Sequence, residues 1–381
     1  GKMKVLIMFD YPAGPGGLST QGDLLYKGLK EIGIEVIAVN LESDLEKQWY
    51  YHWFKPDVAI GIGFWGHTPH IIIHPKKYGI LPVPWLVADG YIANYQDELN
   101  ALPLILVTSH WVKEMYVRDG ISADKIEVLP VGCPTDAFIP IDREDPKIVS
   151  IRQFLGILPE QLMLLTLGGD AASKGAQEVM QALALIDHKV PDYRYVCKVW
   201  PQHRTSIQNQ YDRELAQKLG IEKKVIYTSG IISREFMPFL MNACDIYAAP
   251  SRLEGFGMPQ VEAGACEKPV IGISAMGMLD TLIHGKTALL AKVDKRIVIN
   301  ETTIETGPDL IKKKIIFDTP RTVDYRADVN DIAQYLLELM TNPTLREQMG
   351  KAGRARAVEF FNYRKVAELF VQIIHNRLGI Y

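Results

Sequence analysis

Val5-Leu6-Ile7-Met8-Phe9, followed by Asp10-Tyr11-Pro12-Ala13-Gly14-Pro15-Gly16-Gly17-Leu18-Ser19-Thr20, is the stretch on which the fold turns. Its first five residues are all apolar, the pattern of a strand buried on both faces of a parallel sheet. The prolines and glycines after it break the strand. The next run places Leu18, Leu24, Leu25 and Leu29 at helical spacing and closes at Gly33. Ile34 to Val39 then reads as a second strand. Strand, glycine loop, helix and strand make a β-α-β unit whose loop lies at the carboxyl end of the first strand.

Outward from this unit the alternation repeats. Val58–Ile62, Pro84–Val87, Leu104–Val107 and Ile126–Leu129 read as further strands. A charged, proline-flanked break at 140–146 reads as an interdomain linker. The pattern then restarts with an apolar run at Leu162–Leu167 and a Gly168-Gly169-Asp170 loop, and a helix is expected from about Lys174. Later strands are expected at Tyr193–Val199, Val225–Tyr227, Ile246–Ala249 and Pro269–Ile273. Helices are expected near Ser206–Leu219, Arg234–Ala243 and Pro259–Cys266. Two successive α/β sequences predict two doubly wound, Rossmann-like domains facing a central cleft. The expected division is 1–145, joined by the C-terminal helix 360–381, and 146–359. A charged, β-branched insertion near 292–326, read as a small hairpin, falls outside the scheme.

Composition sets the outer bounds. A chain of 381 residues is too long for one core and predicts about two domains. The net charge of −3 gives no global basic field for nucleic acid or an anionic membrane. Cys133, Cys197, Cys244 and Cys266 form no CxxC pair and read as buried thiols of a cytoplasmic protein. No apolar run reaches the ~20 residues of a membrane span, and the N-terminus lacks a signal-peptide shape. Gly1-Lys2 ahead of Met3 reads as an expression remnant, with Met3 as the native start.

The strongest chemical signal is Pro250-Ser251-Arg252-Leu253-Glu254-Gly255-Phe256-Gly257-Met258-Pro259-Gln260-Val261-Glu262. It follows an apolar strand, and Pro259 suits the first turn of a helix. Glycines at 255 and 257 let a backbone approach a ligand closely. A helix N-terminus with unpaired amides suits an anion or sugar hydroxyls. Glu254 precedes the helix and Glu262 lies inside it, so two carboxylates are expected to face one ligand from different heights.

This segment resembles the E-x7-E signature of retaining glycosyltransferases of the GT-B type, the group 1 or family 4-like enzymes. Gly16-Gly17-Leu18-Ser19 is similar to that family's N-terminal glycine loop. Ala123 to Cys133, continuing to Asp136-Ala137-Phe138, resembles the segment leading to its hinge. Ser173-Lys174-Gly175, Ala265 to Gly272 and His284 to Leu290 resemble its later elements. The resemblance implies that Glu254 lies beside the transferred sugar and that the amides of Gly255, Phe256 and Gly257 bond its hydroxyls. It implies ribose binding by Glu262, neutralisation of the diphosphate by Lys174, and a main-chain phosphate contact at Gly17.

Two positions depart from the family pattern. Where members carry an Arg before the Lys-Gly, this chain has Gly168-Gly169-Asp170; Lys198, Arg204 and Arg252 stand as candidates for a second cation. Where many members place a His after the fourth strand, Asp89 stands, a candidate for binding donor or acceptor hydroxyls. His67, His70 and His74 have a loosely metal-like spacing without a clear further ligand, and His67 alone also reads as a residue pointing into the cleft. Ser109 reads as the N-cap of a helix opening with His110-Trp111. Phe64, Trp65, Tyr91 and Tyr95 are candidates to stack on an acceptor sugar, or core residues.

The expected function is a retaining, metal-independent hexosyltransferase. Its donor is a nucleotide-diphosphate sugar, UDP-glucose-like or GDP-mannose-like, and its acceptor is a sugar, polyol or glycan hydroxyl. No cofactor is expected; peripheral membrane contact stays open. A non-catalytic nucleotide-sugar-binding protein and a UDP-sugar epimerase-like member of the same fold stand as alternatives.

Overall fold

The computed structural model describes residues 2–200 and 203–381, with side chains described for all of these but 203–208. The chain forms two compact units. Unit 1 is Gly1–Pro134, Val298–Val323 and Phe360–Tyr381; unit 2 is Thr135–Ile297 and Asp324–Glu359.

Unit 1 is built on a six-stranded parallel sheet of β1 (Lys4–Phe9), β2 (Glu35–Asn40), β3 (Val58–Phe64), β4 (Pro82–Val87), β5 (Ile105–Val107) and β6 (Ile126–Val128). The strand order is β2-β1-β3-β4-β5-β6. Ile7 pairs with Ala38 on one side and Ile60 on the other, so β1 is central. Val5 to Phe9 are fully buried, as their uninterrupted apolar run requires. The order reverses between β1 and β3, so the loops after these two strands flank the topological switch point. The C-terminal helix Tyr363–Leu378 packs on the first helix, Gly17–Glu31. The approach is close: a Cβ on Gly28 would stand 2.8 Å from the Tyr363 carbonyl oxygen.

Unit 2 repeats the plan with β7 (Leu162–Leu167), β8 (Tyr193–Val199), β9 (Val225–Ser229), β10 (Ile246–Ala248), β11 (Val270–Ile273) and β12 (Ala288–Ala291), in the order β12-β11-β10-β7-β8-β9. Here the switch point lies between β7 and β10. All strand pairs within each sheet are parallel, as the alternating sequence predicts.

The division differs from the expected one in two places. The chain enters unit 2 at Thr135, before the charged break. Arg354 donates to the carbonyls of Thr135 (3.0 Å), Phe138 (2.7 Å) and Ala265 (3.0 Å), and Asn242 bonds Ile139 and Ile141. Pro146 then opens a helix, Pro146–Phe154, capped by Asp145. The second difference is the insertion. It is a long two-stranded arm, β13 (Val293–Thr306) and β14 (Ile311–Ala327), whose roots belong to unit 2 and whose outer part, Val298–Val323, belongs to unit 1. Within unit 1 the Thr302 hydroxyl lies 3.3 Å from the Tyr91 hydroxyl, and the Phe317 ring lies 5.3 Å from the Tyr91 ring. Arg321 pairs with Asp119 at 2.8 Å, both side chains buried. Gly90, at φ +111°, is so close to the arm that an added Cβ would meet the Thr322 carbonyl oxygen at 2.7 Å.

Candidate functional site

The two loops at unit 2's switch point carry most of the candidate donor residues. The first follows β7: Gly168-Gly169-Asp170, a 3-10 turn at Ala172–Lys174, then Gly175 at φ +85° and the helix Ala176–Ile186. The second follows β10 and runs through Glu254 to Gly257, at φ +103°, where the helix Met258–Ala265 begins. A bond from the Arg252 amide to the Ser173 carbonyl (3.0 Å) ties the loops together. A Cβ on Gly175 would lie 2.3 Å from the Pro250 carbonyl oxygen, so both the left-handed backbone and the close packing require glycine there.

This geometry brings Lys174 against Glu254, with Nζ 2.9 Å from Oε2. The Glu254 carboxylate holds the Lys174 ammonium above its ordinary range, against the opposing pull of burial. The other carboxylate oxygen accepts the Gly257 amide at 3.2 Å, so that amide is already engaged by the loop's own carboxylate. The Glu254 amide faces Met276 Sδ, and the Gly277 amide donates to the Glu254 carbonyl. The segment 254–257 is therefore shaped by its own contacts as well as by the helix start.

Glu262 lies in the helix as the spacing predicts, but it is 2% exposed and bonded to Arg234. Burial raises its carboxyl, and the Arg234 guanidinium draws it back down. Tyr247, on β10, lies in the electrostatic field of both glutamates and accepts the Leu167 amide at 3.4 Å. Arg234 had no sequence signal: it stands 28 residues from its partner and follows no motif.

The three candidates for a second cation separate clearly. Arg252 is committed to Glu178, with its Nε 3.1 Å from Oε2 and a second contact through Nη2, and to Gln177. The side chain of Arg204 lies outside the described residues. Lys198, near the carboxyl end of β8, is 5% exposed as a residue, its carbonyl accepts the Gly168 amide at 3.1 Å, and burial pushes its ammonium down.

In unit 1, Gly17 is the first residue of its helix, after Gly16 in extended conformation. A Cβ on either glycine would meet nothing within 4 Å, so neither fold nor φ demands glycine there. Asp89 follows β4. It is exposed, yet the surrounding protein desolvates the carboxyl enough to raise it, while a backbone N–H and then the nearby Trp65 side chain pull the other way. Trp65 itself is buried, 6.2 Å ring to ring from the half-buried Tyr91, while Phe64 and Tyr95 are also half-buried.

The histidines do not gather. His67 turns back on its own strand: its Nδ1 accepts the Phe64 amide at 3.1 Å, and burial keeps the ring from protonating in its ordinary range. That bond fixes the ring through Nδ1 and leaves Nε2 as its other nitrogen. His74 pairs with the Tyr51 hydroxyl at 2.9 Å. Among the described residues no three His, Cys, Asp or Glu side chains converge as a metal-binding group. Ser109 caps the helix His110–Arg118, accepting the Val112 amide. All four cysteines are buried and in no disulfide, and among the described residues no helix is long and apolar enough to cross a membrane.

Comparison with known proteins finds a family profile over part of the chain. Residues 148–305 match the profile described as "Glycosyl transferases group 1". Mannosylfructose-phosphate synthase of Agrobacterium fabrum is 28% identical over 239 residues, 59% of this chain and 51% of that one. The MMP alpha-(1->4)-mannosyltransferase of Mycolicibacterium hassiacum is 25% identical, over 76% of this chain and 58% of that one. The chain thus spans little more than half the length of these curated relatives. A crystal structure of Anabaena HepE in complex with UDP and glucose has the same fold: TM-score 0.73, 16% identity, covering 98% of this chain and 100% of that one.

Proposed function

We propose that this chain, residues 148–305 of which match the group 1 glycosyltransferase profile, moves a hexosyl group from a nucleotide-diphosphate sugar to a hydroxyl acceptor, with retention at the anomeric carbon. The observation that carries this reading is the Lys174–Glu254 contact at the switch point of unit 2. It sets a cation and a carboxylate side by side where an open α/β sheet binds its ligand. Lys174 supports the leaving diphosphate as negative charge develops, an electrostatic role that a positioned ammonium fills without a metal or cofactor. Glu254 is held by Lys174 and by the Gly257 amide. A carboxylate so held supports a positive sugar centre or orients its hydroxyls, and is poorly placed to be a nucleophile. Attack by the acceptor on the face from which phosphate departs fits that arrangement.

The finer assignments follow from the same site. Glu262 binds the ribose hydroxyls, with Arg234 holding its carboxylate ionised. The amides of Gly255, Phe256 and Gly257 face the sugar; Gly17 is a main-chain phosphate contact, and Asp89 binds sugar hydroxyls. UDP-glucose and GDP-mannose are the donors to try first, since relatives and structural neighbours are named for UDP, glucose or mannosyl transfer. The acceptor is a sugar, polyol or glycan. Four buried thiols outside any disulfide favour a reducing compartment, the cytoplasm.

A panel of UDP-glucose, UDP-N-acetylglucosamine and GDP-mannose, scored for thermal stabilisation and for slow donor hydrolysis, tests the proposal. One donor is expected to stabilise the protein and to release its diphosphate, and Glu254→Gln to abolish the release. Binding without turnover for every donor overturns the enzymatic reading in favour of a binding protein. Conversion of a UDP-sugar to its 2-epimer overturns it in favour of an epimerase.

A further inference from the structure

The arm lies outside the alternating α/β plan, yet its outer part packs on the loop that carries Asp89. Gly90 leaves no room for a Cβ beneath the Thr322 carbonyl. The Tyr91 ring lies 5.3 Å from the Phe317 ring, and the Tyr91 and Thr302 hydroxyls lie 3.3 Å apart. On its other side Tyr91 lies 6.2 Å, ring to ring, from Trp65, the first residue after β3. Trp65, Tyr91 and Phe317 thus form one aromatic row, from the carboxyl edge of unit 1's sheet at its switch point out to the arm. Tyr91, Phe317 and Thr302 are each partly exposed, so the row keeps an open side. Trp65 is 8% exposed, and its indole nitrogen makes no hydrogen bond of ordinary geometry among the described residues. Asp89 is near enough for the Trp65 side chain to draw its carboxyl down. Aromatic surface beside a fixed hydrogen-bond acceptor suits a hydroxylated ring, which has apolar C–H faces and O–H donors at its rim.

The fixed charge around this row has one sign. The stretches that follow β1 to β6 are 10–16, 41–43, 65–73, 88–95, 108–109 and 129–134. They contain Asp10, Glu42 and Asp89 and not one Lys or Arg. The arginines packed on the 88–95 loop are committed, since Arg118 and Arg321 both bond Asp119, at 2.9 and 2.8 Å. On the arm, Lys314 pairs with Glu301 at 2.9 Å. Lys312 and Lys313 stand farther along the strand from Phe317, by ~13 Å or more at the usual rise per residue. A phosphate monoester carries about −1.5 to −2 charges at neutral pH and is recognised by Lys, Arg or a set of aimed N–H groups. At this row it meets a carboxylate instead, and only solvent and salt soften the repulsion.

We propose that the arm completes an acceptor site on unit 1, with Phe317 and Thr302 in its wall, and that this site takes an uncharged sugar or polyol and refuses the corresponding phosphate monoester. Trp65, Tyr91 and Phe317 meet the acceptor's C–H faces, and Asp89 accepts from its hydroxyls. The inference rests on the transferase reading of the chain. To that reading it adds the charge of the acceptor and the arm's part in selecting it.

The test uses the full chain, a donor from the panel above, and acceptors in pairs: glucose and glucose 6-phosphate, fructose and fructose 6-phosphate, myo-inositol and its 1-phosphate. Wild type is expected to use the free member better by about tenfold or more in kcat/KM, with the gap narrowing as salt is raised. Phe317→Lys and Thr302→Lys each place a cation in the proposed wall. Either is expected to shift the ratio towards the phosphorylated member by about tenfold. Thermal melts show whether each variant is folded. If neither is, the acceptor KM of Phe317→Leu decides, with a rise of about fivefold expected. A phosphorylated member used as well as its free partner overturns the proposal. So does transfer to neither member of any pair while the donor is still hydrolysed. An unchanged ratio in a folded lysine variant, or an unchanged acceptor KM in Phe317→Leu, overturns the arm's place in the site. A chain that consumes no donor, with acceptor or with water, sinks the transferase reading and this inference with it.

Discussion

Lys174 Nζ stands 2.9 Å from Glu254 Oε2, and 80 residues of sequence separate the two. The pair joins the loops on either side of unit 2's switch point. Each residue supplies the other's counter-charge, so removing one strands the other in a site of low exposure. Lys174→Met and Glu254→Gln are each expected to lower donor turnover about a hundredfold or more. In the double variant the two losses should not multiply, since both remove one unit. Steady-state donor hydrolysis by the four proteins of the cycle checks this; a double variant whose loss equals the product of the single losses shows two independent residues. The ammonium is held above its ordinary value of 10.5. The stability it contributes is fully present below that value and is lost only as pH rises through the raised one. Lys174 therefore adds no pH dependence near neutrality.

Arg234 and Glu262 behave differently with pH. The carboxyl is raised above 4.5 by burial and restrained by the guanidinium. A group with a raised acid pKa binds its proton more tightly when folded. Stability is then highest below the unfolded pKa and falls as pH rises towards the folded one. Arg234→Met removes the restraint and widens that window upward. The variant is expected to melt well below wild type at pH 7.5, with much of the difference gone at pH 4.5. Breaking such a buried pair costs about 3–5 kcal/mol, an upper figure here because Arg234 is 32% exposed. Melts across pH 4.5–8 measure it, and a difference that does not change with pH removes Glu262 as its source.

Arg252 has the position of a phosphate ligand and the contacts of a structural residue. Its guanidinium meets Glu178 through two nitrogens, both side chains nearly buried. Arg252→Met is expected to destabilise the protein by about 3–5 kcal/mol while leaving the ratio of diphosphate to nucleoside affinity unchanged. Urea unfolding and calorimetry separate the two effects. A fall in that ratio without loss of stability assigns Arg252 to the ligand instead.

What was legible in the sequence was local. Val5–Phe9 and Leu162–Leu167 announce buried parallel strands because every residue is apolar, and Glu254 to Glu262 announces a ligand-facing loop because glycines and a proline flank a helix start. What was not legible was long-range pairing. Nothing in the spacing of Lys174, Arg234 or Arg252 tells which carboxylate each meets, since a charge is as compatible with solvent as with a partner until the fold places it. The insertion was legible as foreign to the pattern but not as part of unit 1. Alternating β-branched residues specify a hairpin, whereas its seat depends on Tyr91 and Asp119, about 200 residues away.

That seat gives the last prediction. Arg321, at 6% side-chain exposure, meets Asp119 at 2%, and Asp119 also accepts the Ile92 amide at 2.7 Å and the Arg118 guanidinium. Arg118 in turn donates to the Gly90 carbonyl. One buried carboxylate thus holds both the arm and the loop that carries Asp89 and Tyr91. Replacing Arg321 by Met leaves Asp119 with Arg118 and the Ile92 amide, so the loop keeps part of its support while the arm loses its ionic anchor. Asp119→Asn weakens both. Hydrogen exchange should therefore quicken at 298–323 in Arg321→Met, and at both 298–323 and 88–95 in Asp119→Asn, with the strands of unit 2 unchanged. Equal protection of the arm in wild type and Arg321→Met would show that the aromatic contact of Phe317 with Tyr91 and the backbone packing on Gly90 seat the arm without the ion pair.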